Sequence, residues 1–273
     1  MLKNIVAHIP LGEANESLSN FAVTMAAAFD SHVEGVAFVY QPFVAGLTYG
    51  GIPADIIAWQ RKEGEQQAQA AVTAFNERAR REGVAASIQT FNVVPGAAGE
   101  TFGTLARRYD LAIVPQPNPE KPSSDDLTFE GALFASGRPT LVVPYIHKTG
   151  FSAKKIVACW DGSRTAARAI GDAMPILKKS SAVDLLMVSD EKLKSDDVPG
   201  ADMGQHLARH GVNVTLRRVS TGGIDIFNTI LSYVADNNAD MLVMGGFGHS
   251  RFREFVLGGV TRGIVSAMTI PTL

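Results

Sequence analysis

Lys154-Lys155-Ile156-Val157-Ala158 says again, midway along the chain, what Lys3-Asn4-Ile5-Val6-Ala7 says near its start, and this repetition decides the fold. A second pair follows in the same order, with Asp110-Leu111-Ala112-Ile113-Val114 returning as Asp240-Met241-Leu242-Val243-Met244. A third closes each copy: Arg138-Pro139-Thr140-Leu141 against Ile270-Pro271-Thr272-Leu273. The spacing between copies shrinks from the first pair to the second, so the N-terminal copy holds about 21 additional residues. They fit the segment around 40–62, where Gly46, Gly50, Gly51 and Pro53 predict an irregular excursion.

Between these landmarks, short apolar runs alternate with amphipathic stretches, the pattern of parallel strands joined by helical crossovers. In the second copy strands are expected at 155–160, 183–188, 212–219, 240–245 and 270–273. A helix is expected over 201–210, with Asp202 as its N-cap and Gly211 supplying the left-handed position after it. The first copy has a longer helix near 55–83, rich in Ala and Gln, with Arg78, Arg80 and Arg81 at its C-terminal dipole end and Gly83 as terminator. The join falls in 145–152, which predicts two domains, 1–149 and 150–273. So short a linker predicts that they pack as a pseudo-symmetric pair.

The bulk numbers exclude several classes. A composition of 46% hydrophobic and 19% charged residues, with a formal net charge of −2, gives no broad drive toward nucleic acid or an anionic membrane. The apolar runs 111–114 and 241–244 are strand-length, far short of the roughly 20 residues of a membrane span, so no span is expected. The first ten residues read as a strand and not as a signal peptide, so a cytoplasmic location is expected. The lone cysteine, Cys159, sits in the apolar run 156–160 and reads as a buried core thiol.

The segment that carries chemistry is Gly245-Gly246-Phe247-Gly248-His249-Ser250-Arg251-Phe252-Arg253-Glu254-Phe255-Val256-Leu257-Gly258-Gly259-Val260-Thr261. It starts where the fourth strand of the second copy ends and finishes by opening a helix. Glycines at 245 and 248 permit positive φ and leave no Cβ in the way of a ligand, while Gly258 and Gly259 expose amide N–H groups at a helix N-terminus. Such a loop suits phosphate; glycines that simply make turns are the alternative.

Gly-x-x-Gly, nine residues, then Gly with a hydroxyl close behind resembles the nucleotide-binding fingerprint of the universal stress protein family. The family places Ser or Thr directly after the last glycine; this chain has Gly259 there, with Thr261 two positions on. The resemblance covers nearly the whole chain and implies two tandem Rossmann-like α/β domains. Each would be a five-stranded, mainly parallel sheet flanked by helices in the order 3-2-1-4-5. It implies an ATP-type nucleotide (ATP, ADP or AMP), with Mg as its companion ion, and an intramolecular pseudo-dimer with scope for a homodimer.

The strand and turn Ile156-Val157-Ala158-Cys159-Trp160-Asp161-Gly162-Ser163 resemble the family's first strand and Asp-Gly-Ser turn, so Asp161 would lie beside the nucleoside. Val188, ending the second strand, matches the residue that packs on adenine. Met244 would line the same pocket, Trp160 is a candidate for stacking on the base, and phosphates would lie over Gly245, Gly248, His249, Gly258, Gly259, Val260 and Thr261. In an open parallel sheet, ligands sit beyond the carboxyl strand ends where strand order reverses, which groups these residues on one crevice.

The first copy lacks the counterpart. Pro115, Pro117 and Pro119 remove N–H donors where a phosphate loop needs them, and Ile9-Pro10-Leu11-Gly12 replaces the acidic turn. This half therefore reads as a degenerate partner that stabilises the pair or binds something else. His206 and His210 stand four apart on a predicted helix, but no third ligand is evident in sequence, so no metal site is expected. No P-loop and no Gly-x-Gly-x-x-Gly follows either first strand. No catalytic constellation stands out, which leaves a nucleotide-binding stress or signalling protein with at most slow ATP hydrolysis. The alternative is a tandem scaffold that acts through protein or small hydrophobic-ligand contacts.

Overall fold

Aliphatic residues fill the opening strand of each repeat, β1 (Asn4–His8) and β6 (Lys155–Cys159), and both are buried through their centres. Strands apolar on both faces suit parallel sheets covered by helices on both sides. The computed structural model, which describes residues 1–12, 14–41, 54–118, 120–189, 200–246 and 259–273, has this architecture twice, in the units Met1–Phe151 and Ser152–Leu273.

In the first unit β1 is followed by α1 (Ala14–Phe29), β2 (His32–Tyr40), α2 (Ala54–Glu82), β3 (Ala86–Val93), α3 (Ala98–Ala106), β4 (Leu111–Pro115), α4 (Asp126–Ala135) and β5 (Thr140–Val143). Every pairing is parallel, in the order β3-β2-β1-β4-β5, the 3-2-1-4-5 order implied by the family resemblance. In the second unit β6 is followed by α5 (Arg164–Leu177), β7 (Ala182–Val188), α6 (Ala201–Arg209), β8 (Val214–Val219), α7 (Ile226–Asp236), β9 (Met241–Val243) and α8 (Gly259–Ala267). Its parallel sheet runs β8-β7-β6-β9.

Three sequence expectations are corrected. The second sheet has four strands, not five. The segment 270–273 reaches β9 through one parallel bridge, Leu242 to Thr272, and hydrogen bonds such as Met244 N–H to Leu273 C=O at 2.9 Å. Residues 54–62, expected within an irregular excursion, belong to the 29-residue α2, and 42–53 lie outside the described residues. Asp202 is not the N-cap of α6: Gly200 is, at φ +77°, and a Cβ there would meet the Met187 sulfur at 2.5 Å. The chain enters α6 too close to β7 for a capping side chain at that point.

The repeated aspartates tie each sheet together. Asp110 accepts the backbone N–H groups of Lys3 and Asn4 at 2.8 and 3.0 Å, and Asp240 accepts that of Lys155 at 2.8 Å. Each carboxylate thus supplies an acceptor at the open end of its first strand. A second repeated acid lies inside each sheet, Glu34 opposite Val6 and Asp184 opposite Val157. Tyr109 donates to Glu34 at 2.8 Å. Asp184 holds Tyr233, Lys155 and Arg217 at 3.0 to 3.4 Å. Burial and then the Asp184 carboxylate push the Tyr233 phenol up to about 12.

Helices α3 and α4 meet backbone to backbone. A Cβ on Gly131 would stand 1.9 Å from the Gly99 carbonyl oxygen, and one on Gly103 would stand 2.5 Å from that of Gly131. This close pairing fixes where α4 begins, and α4 begins at the carboxyl edge of the sheet. No helix among the described residues is long and apolar enough to cross a membrane.

Candidate functional site

At the carboxyl edge of the second sheet the strand order reverses between β6 and β9, the place where open parallel sheets bind ligands. The chain leaves β6 at Trp160, whose N–H is held by Leu186 at 2.9 Å, and turns through exposed Asp161 and Gly162 at φ +76°. Asp161 Oδ1 accepts the Ser163 N–H at 2.9 Å, closing the turn, and Ser163 then caps α5 by accepting the Ala166 N–H at 3.1 Å. With Ser163 as the cap, the second Asp161 oxygen is left without a hydrogen bond among the described residues.

From the other side, β9 ends into half-buried Met244, Gly245 and Gly246. Gly245 does not occupy the positive-φ region expected of it. Its role is close approach: a Cβ there would lie 2.5 Å from the Ala166 nitrogen, so the β9 loop runs directly along the first turn of α5. Among the described residues a Cβ on Gly246 would meet only the Thr261 methyl, 4.0 Å away, which brings the start of α8 beside the same loop. Gly259 opens α8 with no described residue within 4 Å of a Cβ position, and Val260 and Thr261 follow, both half-buried.

The structure therefore gathers Asp161, Met244, Gly245, Gly246 and Thr261 around one edge. Val188 stands on the neighbouring strand β7, half-buried and paired with Val219. Trp160 is directed to the start of α6, where a Cβ on Gly200 would meet its ring at 3.2 Å. Gly248, His249 and Gly258 lie outside the described residues, as do Arg251 and Arg253. Beneath the turn, burial first and Asp161 second push the Cys159 thiol up to about 12, so it is protonated at neutral pH. His206 on α6 and His210 just after it meet edge to face with ring centroids 4.6 Å apart, and no third metal-ligating side chain joins them among the described residues.

The same edge of the first unit is built differently. By repeat register His8 occupies the place of Cys159, and Phe38 that of Val188. His8 is fully buried, with its ring against Phe38 at 5.4 Å and Phe102 at 6.0 Å. Its Nε2 comes within 3.0 Å of Asp125 Oδ1, an ion-pair distance without hydrogen-bond alignment, and Tyr40 donates to that oxygen at 2.7 Å. Burial alone would raise the Asp125 carboxyl, but the His8 and Tyr40 contacts outweigh it and hold the group below the ordinary carboxylate range. Burial, and then the same carboxylate, push the Tyr40 phenol far upward. Sequence reading did not find this cluster. Aligning the repeats shows His8 and Phe38 out of place, but Asp125 joins them only through the fold, 85 positions from Tyr40.

The model of the universal stress protein family matches residues 152–273. Among solved structures, a universal stress protein of Archaeoglobus fulgidus DSM 4304 is similar over 98% of this chain and 94% of its own, with 15% identity and a TM-score of 0.68. A protein of Pseudomonas aeruginosa UCBPP-PA14 assigned to the same family is similar over 99% and 92%, with 14% identity and a TM-score of 0.59. A comparison with curated proteins gives no match. The family match is thus confined to the second unit, residues 152–273, while the parallel α/β fold shared with these solved structures is present in both units.

Proposed function

We propose that the C-terminal half binds one ATP-type adenine nucleotide at the carboxyl edge of β6 and β9. The protein then acts in stress response or signalling through conformation and partners, with at most slow hydrolysis. The observation that carries this reading is the contrast between the two edges. In the second unit no described residue crowds the Cβ positions of Gly246 and Gly259, and the Thr261 hydroxyl and one Asp161 oxygen have no hydrogen-bond partner among the described residues. In the first unit His8, Phe38, Tyr40 and Asp125 pack against one another at the corresponding place.

These residue types fit the group. A carboxylate beside the sheet edge suits ribose hydroxyls, and small residues at the opening of α8 suit phosphate oxygens, which need N–H donors and close backbone approach. Val188 and Met244 supply apolar contact for a base, and Trp160 a ring beside it. A magnesium ion bound with the phosphates would neutralise their charge. The first half is then a degenerate partner, with Pro115 and Pro117 where donors would be needed and its own side chains in the crevice.

Isothermal titration of the full chain with ATP tests the reading, and a stoichiometry near one is expected. ATP at a hundredfold excess over Kd would stabilise the protein by about 2.7 kcal/mol. Gly248→Val should abolish that shift, because a β-branched side chain disfavours positive φ and fills space the phosphates need. His206→Ala should retain it. A stoichiometry of two would overturn the degenerate reading of the first half. The absence of binding would favour the scaffold alternative, which Gly259 in place of the family's hydroxyl residue supports.

A further inference from the structure

The first unit has a cavity of about 210 Å³ beyond the carboxyl ends of β4 and β5, with Pro115 and Val143 in its apolar wall and Asn118, Lys121, Asp125 and Lys148 among its polar residues. Asp125 Oδ1 is engaged twice, by His8 and Tyr40, whereas Oδ2 accepts no hydrogen bond from the described residues. The neighbouring carboxylate, Asp126, is turned to the Ser123 N–H at 3.0 Å. Lys121 and Lys148, both exposed, form no ion pair among the described residues. Among the described residues the cavity thus offers two ammonium groups without an ion-pair partner and one fixed carboxylate oxygen without a donor.

A ligand matching this set carries negative charge for the lysines and a hydroxyl for Asp125. Ammonium groups on flexible stems converge readily on a phosphate or carboxylate. A half-buried carboxylate already held by two protein groups presents its remaining oxygen in a fixed direction. The volume limits the size, since pockets for drug-sized molecules span about 300–1,000 Å³. A cavity of about 210 Å³ is too small for a nucleoside triphosphate. We propose that the N-terminal half holds a second, separate site for a small hydroxylated anion, a phosphorylated or carboxylated polyol, bound by Lys121, Lys148 and Asp125. This site is independent of the nucleotide reading for the other half.

The test is isothermal titration of the full chain with glycerol 3-phosphate, inorganic phosphate and glycerol as probes. Glycerol 3-phosphate is expected to bind saturably and more tightly than phosphate, with no heat from glycerol. The double variant Lys121→Gln/Lys148→Gln removes only exposed charges, and its ligand-free melting curve checks the fold. It should bind glycerol 3-phosphate about tenfold more weakly or worse, the scale of one lost charge-assisted hydrogen bond. Asp125→Asn should reduce the preference for glycerol 3-phosphate over phosphate. The proposal is overturned if the parent binds neither anion, if phosphate alone binds as tightly as glycerol 3-phosphate, or if the double variant binds undiminished.

Discussion

Replacing Asp125 by Ala removes the group on which His8 and Tyr40 converge. Tyr40 donates to its carboxylate at 2.7 Å, and a hydrogen bond to a charged group contributes about 1.5–3 kcal/mol. The His8 ring, with no exposure to solvent, would lose the only charge near its Nε2 among the described residues. A buried polar group left unsatisfied costs about 1–3 kcal/mol. The two effects overlap, since both partners share Oδ1, so the expected loss is about 3 kcal/mol. For a unit of this size that lowers the melting temperature by about 6–12 °C. Calorimetry on the whole chain is the suitable assay, because two units need not melt in one transition. Asp126→Ala is the control: its carboxylate serves only the short turn to Ser123, a contact of cap type that is usually about 1 kcal/mol. The pH dependence gives a second readout. The folded-state carboxyl of Asp125 lies below its ordinary value, so its stabilisation is complete at neutral pH and is lost as pH falls below about 4 toward the folded value. The gap between parent and Asp125→Ala should therefore narrow in acid. A loss under about 1 kcal/mol, or a gap that widens in acid, would refute the account of this cluster.

Gly131→Ala would place a methyl 1.9 Å from the Gly99 carbonyl oxygen, so α3 and α4 must part; a loss of at least about 3 kcal/mol is expected by urea denaturation, and a near-neutral result would show that the helices separate freely. Gly245→Ala should lower the melting temperature even without nucleotide, since its Cβ would meet backbone at 2.5 Å in the first turn of α5; an unchanged ligand-free curve would restore a purely ligand-facing role for this glycine. Cys159, half-buried and with its thiol pushed up to about 12, should react slowly with iodoacetamide at pH 8 in the native protein and promptly once denatured; rapid native labelling would contradict the raised thiol.

Much of the architecture was legible because it rests on local patterns that occur twice. Ile5-Val6-Ala7 and Ile156-Val157-Ala158 could only be buried strands, and the left-handed positions Gly83 and Gly211 mark the ends of α2 and α6. Expectations failed where a neighbour overrode the local signal. Asp202 has the chemistry of a cap, but the Met187 side chain beside residue 200 decides how α6 starts. The segment 270–273 has the composition of a strand but meets β9 through a single parallel bridge.

At the candidate site, sequence by itself determined the residue types: Asp161 in a tight turn, small residues where β9 ends and α8 opens, and prolines at the matching place in the first half. Spacing along the chain is enough for these, because a turn or a helix opening is set by a few consecutive residues. Only the tertiary structure decided that Gly245 serves the packing of β9 against α5, and that His8, Tyr40 and Asp125 close on one another in the first unit. Those outcomes depend on helix starts brought to the sheet edge by distant backbone contacts, such as Gly131 on Gly99. Burial then makes such contacts consequential, because a carboxylate or imidazole removed from water must find its partner wherever the fold has placed one.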